Sequence, residues 1–205
     1  MRSVSSARVE ASDALLDAAE QLLVEVGYAG ITTRKLAERA GVNHGLVHYY
    51  FGSMEDLLLR VVERFTDQLI ERQKAMYAQP IPFIEKWRMA MSFMDQDSES
   101  GYQKIWFEMQ AMAWNAPAVR STMQQVHHRW IDVVRSAFDA GLTELGIDDG
   151  QYPTDAVVSL VVTFNQGIMV ERLLQVDSGH SALLRMIDRN LETIWEERTD
   201  AGTNT

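Results

Sequence analysis

Residues 31–57 read ITTRKLAERAGVNHGLVHYYFGSMEDL, and three helix starts can be placed in them. Thr32 is positioned as an N-cap, with Ile31 before it and Leu36 after it as a hydrophobic staple. Asn43 repeats the arrangement with Val42 and Val47, and Ser53 with Asp56 makes an S-x-x-D capping box. The spacing predicts one helix over about 33–39, a turn at 40–42, a second helix over about 44–50 and a third from about 54. Two helices joined by so short a turn cross steeply and need a small residue at the contact, which Ala37 supplies. The turn needs a residue tolerant of positive φ, which Gly41 supplies. This is the helix-turn-helix pattern, whose second helix enters the major groove of DNA; a plain helical hairpin is the alternative.

The second helix would present His44, Gly45, Leu46, His48 and Tyr49 to the groove. Tyr49 and Tyr50 can donate hydroxyls to phosphates, which positions without specifying. Leu46 suits a thymine methyl, and His44 or His48 a base edge. Gly45 costs a helix about 0.8–1.0 kcal/mol relative to alanine. Close approach to DNA is one reason to keep it there, and a marginal helix held by packing is the other. Phe51 reads as core.

Upstream, a helix over about 7–26 carries Leu15, Ala19, Leu22, Leu23 and Val26 on one face, and Gly27 is placed to end it. Downstream, every segment reads at helical period and none alternates as a strand. Pro80 and Pro82 break the fourth helix, and DQDSESG at 95–101 reads as an acidic loop. Further helices are expected over about 102–114, from Pro117, over 154–176 and over 181–197, with GIDDGQY at 146–152 as a loop and a frayed polar tail. The expectation is an all-α chain of about nine helices. Its domains would be a helix-turn-helix domain at 1–53, a larger helical domain at 54–198 and a flexible tail at 199–205.

The 205 residues carry a net charge of −10, which argues against a nucleic-acid partner until its distribution is considered. Residues 1–60 hold six basic and eight acidic residues, and 61–205 hold 13 and 21. Within 31–50, Arg34, Lys35 and Arg39 face only Glu38. The absence of cysteine excludes disulfides and thiolate metal sites. No signal peptide or membrane span is evident, so a cytoplasmic protein is expected.

From Asp13 to Leu58 the chain resembles the DNA-binding domain of the tetracycline-repressor (TetR) family, through GYAGITTRKLAERAGV followed by GLVHYYF. The remainder resembles that family only in length and helical character. The resemblance implies a homodimer with recognition helices about one duplex turn apart on a pseudo-palindromic operator. It implies repression relieved when a small molecule binds the C-terminal domain. Thr33, Arg34, His44, Gly45, Leu46, His48 and Tyr49 stand where that family commonly contacts DNA, and Thr32 matches its helix cap. Many relatives carry lysine at the positions of His44, Gly52 and Met54, and each lost cation lowers the salt dependence of binding by a slope of about 0.9. Glu10, Asp13, Asp17, Glu20 and Glu25 read as five acids unrelieved by any base in the first helix, which would repel phosphate if they faced it; pointing into solvent is the alternative.

Residues 76–172 are dense in large adaptable apolar groups, which suit a variable ligand or simply a core. Candidate ligand contacts are Trp87, Met91, Trp106, Met109, Met112, His127, Trp130, Phe164, Gln166 and Met169, for a small apolar or amphipathic effector. The helices at about 154–197 are apolar enough to form an interface between two copies. No catalytic motif is present, so no enzyme is expected. No cofactor is expected, and His44 with His48 lacks a third metal ligand nearby. A DNA-binding protein whose C-terminal domain only dimerises is the rival reading.

Overall fold

A computed structural model describes residues 4–99 and 102–203. Among the described residues the regular structure is helical: α1 Val4–Val26, a 3-10 turn Tyr28–Gly30, α2 Thr33–Ala40, α3 Gly45–Phe51, α4 Met54–Tyr77, α5 Phe83–Glu99, α6 Tyr102–Ala113, α7 Pro117–Leu145, α8 Thr154–Leu173 and α9 His180–Thr203. The all-α expectation holds, as does the order of the elements.

Two extents differ. Residues 95–99, read as a loop for their polarity, continue α5. Both aspartates have partners: Asp95 takes a hydrogen bond from Arg172 and Asp97 one from Arg72, each at 2.6 Å. Polar residues so neutralised need not leave a helix. Residues 199–203, read as a flexible tail, continue α9. Trp195 packs on apolar neighbours in the turn before, and the Thr199 hydroxyl donates back to its carbonyl.

The chain forms two compact units. The first comprises residues through Leu69 together with Glu99–His127. Leu15 and Leu23 of α1, Leu36 of α2, Val47 of α3, and Leu57, Leu58, Val61 and Val62 of α4 are fully buried there. Ile105 and Met109 of α6 are fully buried in the same core. Three short N-terminal helices bury too little surface to stand alone, and α6 completes their core. It also satisfies loose backbone ends. Lys104 donates to the Val24 carbonyl in the last turn of α1, where a cation is favoured. The Glu108 carboxylate accepts the Tyr28 N–H.

The second unit comprises Ile70–Ser98 and His128–Thr205. Phe83, Trp87, Val134, Phe138, Leu145, Val158 and Val162 form its core. The Phe83 and Phe138 rings meet edge to face at 5.2 Å, an arrangement aromatic quadrupoles favour. Arg88 of α5 binds Asp188 of α9 through two nitrogens at 2.8 and 3.2 Å. That carboxylate, with those of Glu85 and Glu192, holds the guanidinium well above its ordinary pKa.

α8 has a mean hydropathy of 1.3 over an 18-residue window, yet only 17% of that window is buried. By length and composition alone it is the one described helix that could cross a membrane.

Candidate nucleic-acid interface

The α2–turn–α3 unit is built on the caps read from the sequence. Thr32 has extended backbone, and its hydroxyl accepts the Lys35 N–H at 3.2 Å. At the far end Gly41 adopts φ 67° and ψ 28°. Its N–H bonds the Glu38 carbonyl, and the Val42 N–H reaches the Ala37 carbonyl at 3.0 Å. That pair of bonds is a Schellman motif, which satisfies the last carbonyls of α2 and turns the chain sharply. The Asn43 side chain then accepts the Gly45 N–H at 2.9 Å, with His44 already in helical conformation. Ser53 caps α4 through the Asp56 N–H at 3.0 Å. The Asp56 carboxylate returns to the Ser53 hydroxyl, not to its N–H as in a reciprocal box.

Val47 of α3 is fully buried, while Val42, Leu46, Tyr50 and Phe51 pack part-buried on the same core. His44, Gly45, His48 and Tyr49 are exposed. Tyr49 is 63% exposed. No packing neighbour requires Gly45 to be glycine, since only the Asn43 side chain lies near where a Cβ would stand, at 3.4 Å. His48 Nδ1 lies 3.0 Å from the Gly52 carbonyl, so this nitrogen donates. In the tautomer that donates from Nδ1, Nε2 is an acceptor, suited to an amino group on a base edge. Thr32 is exposed and Thr33 half-buried at the start of α2.

The cations here are not equally available. Arg34 touches only Glu38, at 3.0 Å, and its side chain is 87% exposed. A surface pair one helical turn apart contributes about 0.3–0.5 kcal/mol, so phosphate can displace Glu38. Arg39 is gripped by both oxygens of Glu25 at 2.8 Å, and this guanidinium pulls the Glu25 carboxyl below its usual range. Asp17 and Glu20 share Arg64. Burial pushes the Glu20 carboxyl up, against the downward pull of Arg64. Three of the five acids of α1 are thus engaged with arginines, which weakens the repulsion expected from the sequence. One neighbour was not foreseen: the Arg8 guanidinium of α1 lies over the Tyr49 and Tyr50 rings at 5.4 and 5.9 Å. α1 therefore does hold a base, contrary to the expectation of five acids unrelieved by any.

The ten candidate ligand contacts divide between the units. Trp106, Met109, Met112 and His127 lie in the first, where the Trp106 and His127 rings stack at 6.4 Å. Trp87, Met91, Trp130, Phe164, Gln166 and Met169 lie in the second. There Trp87 approaches Phe164 at 6.3 Å, and the Trp130 indole donates to Gln73 at 2.9 Å. Trp87 and Met109 are buried and the other eight are half-buried. The second unit also has an open groove of about 510 Å³ lined by Tyr77, Phe83, Lys86, Ala137, Gly141 and Glu144, among others. None of the ten lines it. Burial pushes the Tyr77 hydroxyl up to about 12. No cluster of His, Asp and Glu among the described residues could hold a metal ion.

Residues 15–61 match the profile of bacterial regulatory proteins of the tetR family. Over 153 residues the chain is 23% identical to the HTH-type transcriptional repressor KstR2 of Rhodococcus jostii, covering 73% of this chain and 72% of that protein. Over 78 residues it is 31% identical to the fatty acid metabolism regulator protein of Bacillus subtilis, covering 38% and 40%. The crystal structure of the B. subtilis regulator FadR in complex with stearoyl-CoA superposes with a TM-score of 0.72 at 17% identity, covering 87% of this chain and 96% of that one. At that identity the likeness establishes the fold.

Proposed function

We propose that this chain, whose residues 15–61 match the tetR-family profile, is a homodimeric transcriptional repressor released from a pseudo-palindromic operator by a largely apolar or amphipathic small molecule. The observation that carries the DNA half of this reading is the α2–Gly41–α3 turn, which leaves His44, Gly45, His48 and Tyr49 exposed on one short helix anchored by Val47. In this reading Arg34, Thr32, Thr33, Tyr49 and Tyr50 hold the backbone, while His44, Leu46 and His48 meet base edges. Gly45 permits close approach. Residues 1–53 read DNA, and 54–198 sense and dimerise, in the cytoplasm where the bacterial chromosome lies.

Dimerisation is supported by the exposed side of α8. Leu160, Thr163, Gly167, Val170 and Leu174 recur at spacings of three and four and are all exposed, so they form one stripe. Leu160 and Leu174 are 68% and 70% exposed. Gly167 has open space where a Cβ would stand. A stripe of this kind is covered by a partner helix, and a second copy brings two α3 helices to one duplex. The aromatic cluster of Trp87, Phe138 and Phe164 supports an apolar effector, and the stearoyl-CoA bound to FadR is an amphipathic one.

The test is a set of gel shifts with duplexes selected from random DNA by the full-length protein, repeated with fatty acyl-CoA esters, free fatty acids and choline. Specific binding abolished by one of these supports the whole reading. Specific binding that no effector relieves would favour a C-terminal domain that only dimerises.

A further inference from the structure

Of the described arginines up to residue 64, four face carboxylates: Arg34 faces Glu38, Arg39 faces Glu25, Arg60 faces Glu63, and Arg64 faces Asp17 and Glu20. Arg8 differs. It pairs with no carboxylate among the described residues, and its guanidinium lies over Tyr49 at 5.4 Å and Tyr50 at 5.9 Å. Those two rings meet edge to face at 5.1 Å, and Tyr50 meets Phe51 at 6.5 Å. The aromatic series thus runs from exposed Tyr49 to Phe51 on the core, with Arg8 covering its outer end.

We propose that Arg8 is a phosphate-binding residue of the DNA-reading surface, held beside α3 by a cation–π contact with the Tyr49 ring. The inference rests on the reading of α3 as the DNA-facing helix. A guanidinium held over a ring by its quadrupole makes no hydrogen bond to that ring, so its N–H groups remain to match a phosphate in fork geometry. Meeting phosphate breaks no ion pair, whereas Arg39 would have to give up Glu25. The ring contact also restricts the side chain before DNA arrives, so less freedom is lost on binding. The residue supplies a cation to a surface where Gly52 and Met54 carry none. Exposed Tyr49 and the guanidinium then address neighbouring oxygens of one backbone segment.

The experiment measures affinity against salt for the full-length protein, using a duplex it selects from random DNA and an unrelated duplex of equal length. Arg8→Ala should lower the slope of log K against log salt by about 0.9 per protomer, and weaken binding to both duplexes by about tenfold per protomer at 0.1 M salt. Arg8→Lys should keep the slope while binding more weakly than wild type, because an ammonium lacks the fork geometry. Arg8→Ala combined with Tyr49→Ala should weaken binding by less than the product of the single effects. Wild-type slope in Arg8→Ala overturns the proposal, whether affinity is retained or lost, since loss at constant slope marks a purely structural residue. If wild-type protein selects no duplex, the DNA reading itself fails; if it selects one and Arg8→Ala matches its slope, only this inference fails.

Discussion

Gly41 stands at φ 67° with no atom within 4 Å of where a Cβ would lie, so a larger residue there meets strain and not a clash. Gly41→Val should therefore destabilise the protein by about 1–3 kcal/mol, read as a lowered thermal midpoint, and should abolish specific DNA binding. Gly41→Asn, which tolerates the left-handed region, should retain most of both. A valine variant that melts and binds as wild type would remove the turn from the account. Arg34→Ala should leave the melting temperature unchanged and reduce the salt slope of DNA binding by about 0.9 per protomer, and an unchanged slope would remove Arg34 from the interface. At this scale the sequence was legible where the chemistry is local. Thr32, Gly41, Asn43 and Ser53 act on residues one to five positions away. The pairings Arg39–Glu25 and Arg64–Asp17 were not legible, because they join residues 14 and 47 positions apart. The acids of α1 therefore read as bare charge.

Elements were legible in type and order, since apolar residues at helical period identify a helix whatever it packs against. Their ends were less so. The acids at 95–99 resemble a loop until Arg72 and Arg172 are placed against Asp97 and Asp95, and those arginines come from α4 and α8. The apolar character of α8 was legible too, but which face it leaves uncovered was not. Val158 and Val162 pack in the core of the second unit and Ile168 is buried, while Leu160, Val170 and Leu174 face solvent. Leu160→Arg should convert a dimer to monomer in sedimentation equilibrium at micromolar concentration, with helical content unchanged. Gly167→Arg should do the same by holding the partner helix away. Either variant remaining fully dimeric would place the interface elsewhere.

The whole molecule carries −10, and a homodimer would carry twice that toward a polyanion. Association with random DNA should therefore be weak, and most affinity should depend on sequence, with each mismatched base pair in the site costing about 1–3 kcal/mol. Packing organises the chain differently from the expected boundary after residue 53. α6 and the first part of α7 share a core with α1–α3, and no signal in 31–57 indicates which later helix completes that core. The ten ligand candidates were chosen for size and softness, properties shared by core and pocket residues, which is why they divide between two cores. The central claim is that α3 reads DNA. The most direct measurement is selection of bound duplexes from random-sequence DNA by the full-length protein, followed by footprinting of the winner. A pseudo-palindromic site whose half-sites lie about one helical turn apart is expected, with binding lost in His48→Ala and Tyr49→Ala proteins that remain folded. Recovery of no enriched sequence, or of one bound equally well by those variants, would contradict that claim.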